Sequence, residues 1–271
     1  MVARRLKAVL VITWHEFWGH DWLSYLPRGL AAAARAFERV LPRLAHANVA
    51  VSRFTADRLR NGSGRLAHVI PNGIDLHSIE VARPSSQAKD VVFVGRLIRE
   101  KRVPLLLEAI RTIAPSVPEL HVELIGDGPE KDRIHAFART MPPNVRVELT
   151  SHVDEATELY SKIKSAKMLV LPSAREGYGL VVAEAQACGT VPIVVHGASN
   201  ASVDLVEPGK TGIVTHPDVD HLAEAITTLL SDTRLRNTMG QQARAASEAR
   251  DWNYTAASTA GLYRTLRASG G

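Results

Sequence analysis

Two carboxylates on either side of a glycine-spaced turn carry the strongest chemical signal in this sequence. Residues 171–190 run Leu-Pro-Ser-Ala-Arg-Glu-Gly-Tyr-Gly-Leu-Val-Val-Ala-Glu-Ala-Gln-Ala-Cys-Gly-Thr, with Glu176 and Glu184 flanking Gly177-Tyr178-Gly179. A β-rich run, Lys167 to Leu171, ends at Pro172, and an Ala-rich segment of high helix propensity, Leu180 to Cys188, follows the turn. A strand that passes through Gly-x-Gly into a helix gathers free backbone N–H groups and a positive dipole end at one point. Phosphate suits that point. Carboxylates repel phosphate but accept hydrogen bonds from hydroxyl groups, so the ligand implied is a sugar, a diphosphate and a ribose in sequence.

The elements that must position these groups are legible from Asp90 onward, where strand and helix patterns alternate. Apolar β-rich runs occur at Val91–Val94, Val122–Ile125, Val145–Leu149, Met168–Leu171 and Val191–Val195, with helical patterns at Val103–Ala114, Glu130–Thr140, Glu155–Ala166 and Leu180–Ala187. A short strand, Gly212–Thr215, and two helices, Val219–Leu230 and Thr233–Glu248, follow. Nearly continuous apolar strands alternating with helices predict a parallel sheet covered on both faces. Ligands of such sheets sit at the carboxyl ends of the strands. Gly95 and Arg96, Gly126-Asp127-Gly128, and Glu176 all fall there.

The first seventy residues predict less. Ala8–Thr13 and Val49–Val51 read as strands, Gly29–Leu44 and Arg53–Arg60 as helices, Pro71-Asn72-Gly73-Ile74-Asp75 as a turn, and Arg83-Pro84-Ser85-Ser86-Gln87 as a linker. Two strands and two helices are too little for a self-sufficient α/β domain. The last helical segment, Trp252 to Leu266, is expected to cross back and cover that piece. The expected division is residues 1–75 with 252–268, and residues 88–250.

Composition narrows the function classes. Of 271 residues, 45% are hydrophobic and 23% charged, an ordinary globular composition. A net charge of +5 suits an anionic ligand or an anionic membrane surface, and is too weak to argue for nucleic acid. Cys188 is the only cysteine, so no intrachain disulfide can form, a reducing compartment fits, and the thiol reads as core filler. No apolar run approaches the roughly 18 residues of a membrane span. The basic start, Arg4, Arg5 and Lys7, leads into Ala8–Thr13, too short for the core of a signal peptide. We find no Asp-x-Asp motif that would hold a divalent ion against a diphosphate and no Cys/His ligand spacing, so neither metal nor cofactor is expected. No Gly-x-Gly-x-x-Gly follows a strand, which argues against a dehydrogenase.

Six segments in order resemble the nucleotide-sugar glycosyltransferases of family 4, the group 1 retaining enzymes of GT-B fold with two Rossmann-like domains. They are Thr13-Trp14-His15-Glu16, Val51-Ser52-Arg53-Phe54-Thr55, Pro71-Asn72-Gly73-Ile74-Asp75, Val94-Gly95-Arg96-Leu97 with Lys101, Ile125-Gly126-Asp127-Gly128-Pro129-Glu130, and the Glu176-to-Glu184 stretch. The resemblance implies that Arg96 and Lys101 hold the donor diphosphate and that Glu176 binds hydroxyls of the donor sugar. It further implies that backbone groups around Gly177, Tyr178, Gly179 and Leu180 contact phosphate and sugar, and that Glu184 chelates the ribose. Gly95 and Gly126 would line the donor pocket. Backbone groups near Ser151-His152-Val153, with Glu158 close by, would meet the base, and His15 would project toward the donor sugar. The implied reaction transfers a glycosyl group from a UDP- or GDP-linked sugar to an acceptor hydroxyl with retention and without a metal. The acceptor would be a glycan, a lipid-linked molecule or a small molecule.

Against the family pattern the chain enters late, with a dozen residues before Trp14. The donor half is therefore expected to be complete and the acceptor half largely absent. Two further readings stay open: a donor-binding subunit or fragment that needs a complementary acceptor-domain chain or a second copy, and a nucleotide-sugar 2-epimerase. Trp14, Phe17, Trp18 and Trp22 suit a partner or a lipid-bearing acceptor as well as they suit a core. The expected location is cytoplasmic, at the inner membrane face if the acceptor is lipid-borne.

Overall fold

The computed structural model describes residues 8–269; Arg4, Arg5 and Lys7 lie outside the described residues. The chain forms two compact units, one from the described parts of Met1–Gly73 and Trp252–Gly271, the other from Ile74–Asp251.

The first unit begins with β1 (Val11–Trp14), α1 (Arg28–Leu44), β2 (Ala47–Ala50), α2 (Arg53–Ser63) and β3 (His68–Val69). Its strands form a parallel sheet in the order β1-β2-β3, with Val11 opposite Ala47 and Val49 opposite His68. The third strand goes unseen in the sequence because two residues cannot display an alternating pattern. Trp14 and Phe17 are core, packed with Leu59, and the Trp14 indole donates to Asn48 Oδ1 at 2.9 Å. Trp18 instead stacks on Trp22 and meets Tyr25 edge-on, each at 4.7 Å between ring centroids. The loop carrying Trp18 is fixed by buried Glu38, whose carboxylate accepts from Trp18 N at 2.6 Å, Gly19 N at 2.7 Å and the Trp22 indole at 3.1 Å. Three donors on one carboxylate compensate its burial.

The second unit runs α3 (Leu76–Val81), β4 (Lys89–Val94), α4 (Val103–Ile113), β5 (Leu120–Ile125), α5 (Lys131–Ala138), β6 (Val145–Thr150), α6 (Ala156–Lys164), β7 (Ala166–Leu171) and β8 (Arg175–Glu176). It continues through α7 (Leu180–Cys188), β9 (Val191–Val195), β10 (Ser199–Asn200), β11 (Ile213–Thr215), α8 (Val219–Ser231) and α9 (Thr233–Ser247). The closing helix α10 (Trp252–Ser269) belongs to the first unit, where Thr255 Oγ1 donates to the Pro71 carbonyl at 2.9 Å. The six-stranded sheet is parallel throughout, in the order β6-β5-β4-β7-β9-β11. Its centre is apolar and dry: Val91, Phe93, Leu124, Leu169 and Ile193 are fully buried. Helices cover both faces, α4 packing on α8 and α7 on α6 and α9. Asp75, Asp218 and Asp232 cap α3, α8 and α9 by accepting from backbone N–H groups of the first turn.

This strand order reverses direction between β4 and β7. Chain connections leave those two strands toward opposite sides, which opens a crevice at their carboxyl ends.

Candidate functional site

The crevice is lined by the loops that follow β4, β5 and β7, and backbone hydrogen bonds lock these loops together. Leu97 N donates to Asp127 O at 2.8 Å and Glu130 N to Leu97 O at 2.9 Å, joining the first two. Ala174 N donates to Glu100 O at 2.8 Å, joining the first to the third. Gly126 is required by this closeness, because a Cβ there would overlap the carbonyl oxygen of Gly95.

Arg96 and Lys101 fall between the strand Val91–Val94 and the helix Val103–Ala114 that the sequence predicts. In the structure β4 ends at Val94 and α4 starts at Val103, so both cations stand on the connecting loop, Lys101 at the end of the turn Arg99–Lys101. Lys101 Nζ forms an ion pair with Glu176 Oε1, and the two side chains are 17% and 12% exposed. The structure thus brings together two groups 75 residues apart in sequence, across the switch in strand order. Arg96 is exposed, and its guanidinium has no partner among the described residues.

Glu176 is held from below. It lies in β8, which pairs with β10 so that Glu176 sits opposite Asn200. Asn200 is fully buried: its amide donates to Ser173 O at 3.0 Å and Val195 O at 2.9 Å, while its carbonyl oxygen accepts from Ser202 N at 3.1 Å and Ser202 Oγ at 2.6 Å. Sequence reading misses Asn200 and Ser202, which stand in the segment His196-Gly197-Ala198-Ser199-Asn200-Ala201-Ser202, where no strand or helix pattern is read.

The chain then passes through Gly177, buried Tyr178 and Gly179 into α7. Gly179 adopts φ 93°, ψ 52°, a left-handed conformation, and a Cβ there would come within 2.7 Å of Ser202 Cβ. Gly179→Ala is therefore expected to destabilise the fold by about 2 kcal/mol, from left-handed strain plus the clash, measured by urea denaturation. The Leu180 and Val181 N–H groups at the start of α7 precede the first bonds of the helix, in which Val182 N and Ala183 N donate to Gly179 O at 2.9 and 3.3 Å. The Tyr178 hydroxyl is buried without a hydrogen-bond partner among the described residues, and burial pushes its pKa up.

Glu184 lies in the second turn of α7, about 7.5 Å along the axis from Gly179. Burial holds its carboxyl above the ordinary carboxylate range, an effect partly offset by the Tyr160 hydroxyl donating to Oε1 at 3.4 Å. Val153 is half-buried in the loop after β6, and Glu158 is exposed on α6. His15 is exposed, immediately after β1, and belongs to the first unit. The Cys188 thiol, pushed up to about 12 by burial, has the chemistry of core filler.

One Asp-x-Asp spacing does occur, at Asp218-Val219-Asp220, at the start of α8. Asp218 is the cap of α8 and accepts from His221 N at 3.0 Å, a structural role. Among the described residues no group of three His, Cys, Asp or Glu side chains converges as a metal-binding cluster would.

Comparisons with known proteins give the family. The family model of the glycosyl transferases group 1 covers residues 78–246, and that of glycosyltransferase family 4 covers residues 1–78. The chain belongs to the group 1 glycosyltransferases. It is similar to the D-inositol 3-phosphate glycosyltransferase of Kribbella flavida, 32% identical over 73% of this chain and 50% of that one. It also resembles the sulfoquinovosyl transferase SQD2 of Arabidopsis thaliana, 34% identical over 60% of this chain and 30% of that one. This group 1 chain therefore spans half or less of the length of these two relatives. Its fold is that of the GT-B glycosyltransferases. Sucrose-phosphate synthase from Thermosynechococcus elongatus superimposes with TM-score 0.83 at 24% identity, covering 99% of this chain and 71% of that one. Anabaena HepE in complex with UDP and glucose superimposes with TM-score 0.80 at 21% identity, covering 97% and 73%.

Proposed function

We propose that the second unit binds a nucleoside-diphosphate sugar and that the chain serves retaining glycosyl transfer to an acceptor hydroxyl without a metal. The observation that carries this reading is the meeting of Lys101 and Glu176 at the switch point, beside the N-terminus of α7. Without ligand the two charges satisfy each other. A donor offers each a better partner: phosphate oxygens for Lys101 and sugar hydroxyls for Glu176. Arg96, already unpaired, adds a second cation, and the α7 N–H groups add donors aimed at the same anion. Glu184, farther along α7, takes the ribose hydroxyls, and backbone groups near Val153 take the base. Support also comes from HepE, whose structure holds UDP and glucose in the same fold.

In the reaction the bond between the anomeric carbon and the β-phosphate oxygen breaks, and the acceptor oxygen bonds to that carbon on the same face. The acceptor proton passes to the departing phosphate oxygen. Fixed positive groups stabilise the charge that develops on that oxygen, and one such group contributes on the order of 3 kcal/mol.

The second reading is a donor-binding part that needs a complementary chain. Incubation of the isolated chain with isotope-labelled UDP- and GDP-sugars separates the two. Label in an acceptor supports transfer, tight nucleotide binding without label in any acceptor supports the second reading, and absence of binding removes both. Epimerisation of the donor would appear in the same assay as a changed free sugar nucleotide.

A further inference from the structure

Helices α1 and α2 of the first unit pack against each other, and a cavity of about 270 Å³ lies between them and the loop that follows β1. Each helix presents residues at i, i+3 and i+4 to it, the spacing that puts three positions on one face: Arg35, Glu38 and Arg39 from α1, and Arg58, Asn61 and Gly62 from α2. The buried ring of Phe17 forms an apolar wall, and Gly62 makes room for it, because a Cβ there would run into that ring. The charges around the cavity are unevenly matched. Arg58 Nη2 pairs with Asp21 Oδ2 at 2.9 Å and donates to Trp18 O at 2.6 Å. Glu38 gives both oxygens to the N–H groups of Trp18, Gly19 and the Trp22 indole. Arg43, one turn beyond Arg39, donates to Ser63 O of α2 at 3.3 Å. Among the described residues, half-buried Arg35 meets only His20, at 3.2 Å to Nε2, and exposed Arg39 meets no acceptor. An imidazole that accepts at Nε2 carries no negative charge, so the Arg35 charge stays uncompensated. Two arginines without a carboxylate of their own thus share one cavity, four residues apart on a helix, where like charges repel.

We propose that this cavity binds a phosphate group, free or carried as a monoester, at a site apart from the donor crevice. A phosphate dianion bridging Arg35 and Arg39 relieves their repulsion, and guanidinium forks match phosphate oxygens in both geometry and charge. The volume falls below the roughly 300 Å³ at which pockets for drug-sized ligands begin, so it suits phosphate on a short carbon skeleton rather than a nucleotide. Arg58, Asn61 and Gly62 stand about 8 to 14 Å along α2 from its start. The cavity therefore lies on the helical flank of the sheet and not at the carboxyl ends of β1, β2 and β3, where parallel sheets place their ligands. This site goes beyond donor binding and uses no residue of the Lys101–Glu176 site.

All four tryptophans, Trp14, Trp18, Trp22 and Trp252, belong to the first unit, so the tryptophan fluorescence of the full chain arises from that unit. The experiment is a fluorescence titration without nucleotide, at constant ionic strength set with chloride, using inorganic phosphate in one arm and glycerol 3-phosphate in the other. Trp18 and Trp22 are tied to Glu38 in the cavity wall. A saturable change is therefore expected, with half-saturation below about 5 mM. Tighter binding of the ester assigns the site to a phosphomonoester, and the reverse order assigns it to inorganic phosphate. Arg35→Gln and Arg39→Gln are each expected to weaken binding about tenfold. Arg39 is exposed, so its variant is expected to melt like the parent and decides the matter if Arg35→Gln fails to fold. Arg96→Ala, which removes a cation of the second unit, is expected to titrate like the parent. No saturation up to about 5 mM, undiminished binding by Arg39→Gln, or loss of the signal in Arg96→Ala overturns the proposal. Because no donor is present, failure here leaves the donor reading standing.

Discussion

Lys101→Ala is expected to weaken binding of a nucleoside-diphosphate sugar by about 100-fold and to destabilise the apo chain by about 3 kcal/mol. Both effects have one origin. Lys101 and Glu176 are each largely withdrawn from solvent, so removing the ammonium strands a carboxylate with little water to replace its partner. The same deletion removes the cation assigned to the diphosphate. Glu176→Ala added to Lys101→Ala separates these contributions. Stability is expected to recover substantially in the double variant, because no lone charge remains, while affinity for the donor stays low. Urea denaturation and calorimetric titration with UDP-glucose and GDP-mannose read the two quantities independently. A Lys101→Ala protein that titrates like the parent would refute the proposed pocket. Arg96→Ala serves as a contrast: its exposed guanidinium has no partner among the described residues, so it should lower affinity and leave the melt unchanged.

The second large effect concerns Glu184 and runs in opposite directions for folding and binding. A carboxyl held above its ordinary range by burial binds its proton more tightly in the folded chain. Its contribution to stability is therefore fully present below the ordinary carboxylate pKa and is lost as pH rises through the raised folded value. Glutamine carries no such cost. Glu184→Gln is accordingly expected to melt close to the parent near about pH 4 and above it near about pH 7, the gap opening as pH rises. Donor affinity should move the other way. Hydrogen bonds from ribose hydroxyls to a charged acceptor contribute about 1.5–3 kcal/mol, so the variant should bind about 10- to 100-fold more weakly. Thermal melts across pH, with and without UDP, measure both signs. A variant that gains stability but binds UDP as the parent does would leave Glu184 a structural residue.

What the sequence disclosed depended on how far apart the cooperating groups stand. The strand before Pro172 and the helix Leu180–Cys188 were legible because a continuous apolar run, a proline stop and an alanine-rich segment are local signals, and the structure gives β7 and α7 there. Glu176 could be picked by residue type and strand position and Lys101 through the family resemblance, but their contact spans 75 residues and depends on which strands are neighbours. Asn200 was hidden for another reason. Its importance comes from burial in a tight bend, and a polar residue in a turn-rich segment looks the same whether it faces solvent or holds two loops. Strands β3, β8 and β10 have two residues each, too few for a periodicity. Helix α3 has six residues, less than two turns of the pattern that marks an amphipathic helix. The arginines of α1 were visible as part of a helix, but only the packed structure shows that Arg35 and Arg39 share a cavity with α2.

Under the proposed donor reading, the ion pair of Lys101 and Glu176 makes the crevice a conjunction rather than two separate receptors. Inorganic phosphate could attract the ammonium only by abandoning the carboxylate, and a free sugar could attract the carboxylate only by abandoning the ammonium. A molecule carrying both functions at the correct separation releases the two at once and leaves neither stranded. Discrimination against cellular phosphate and free hexose would thus be intrinsic to the resting state, with no moving gate needed to enforce it.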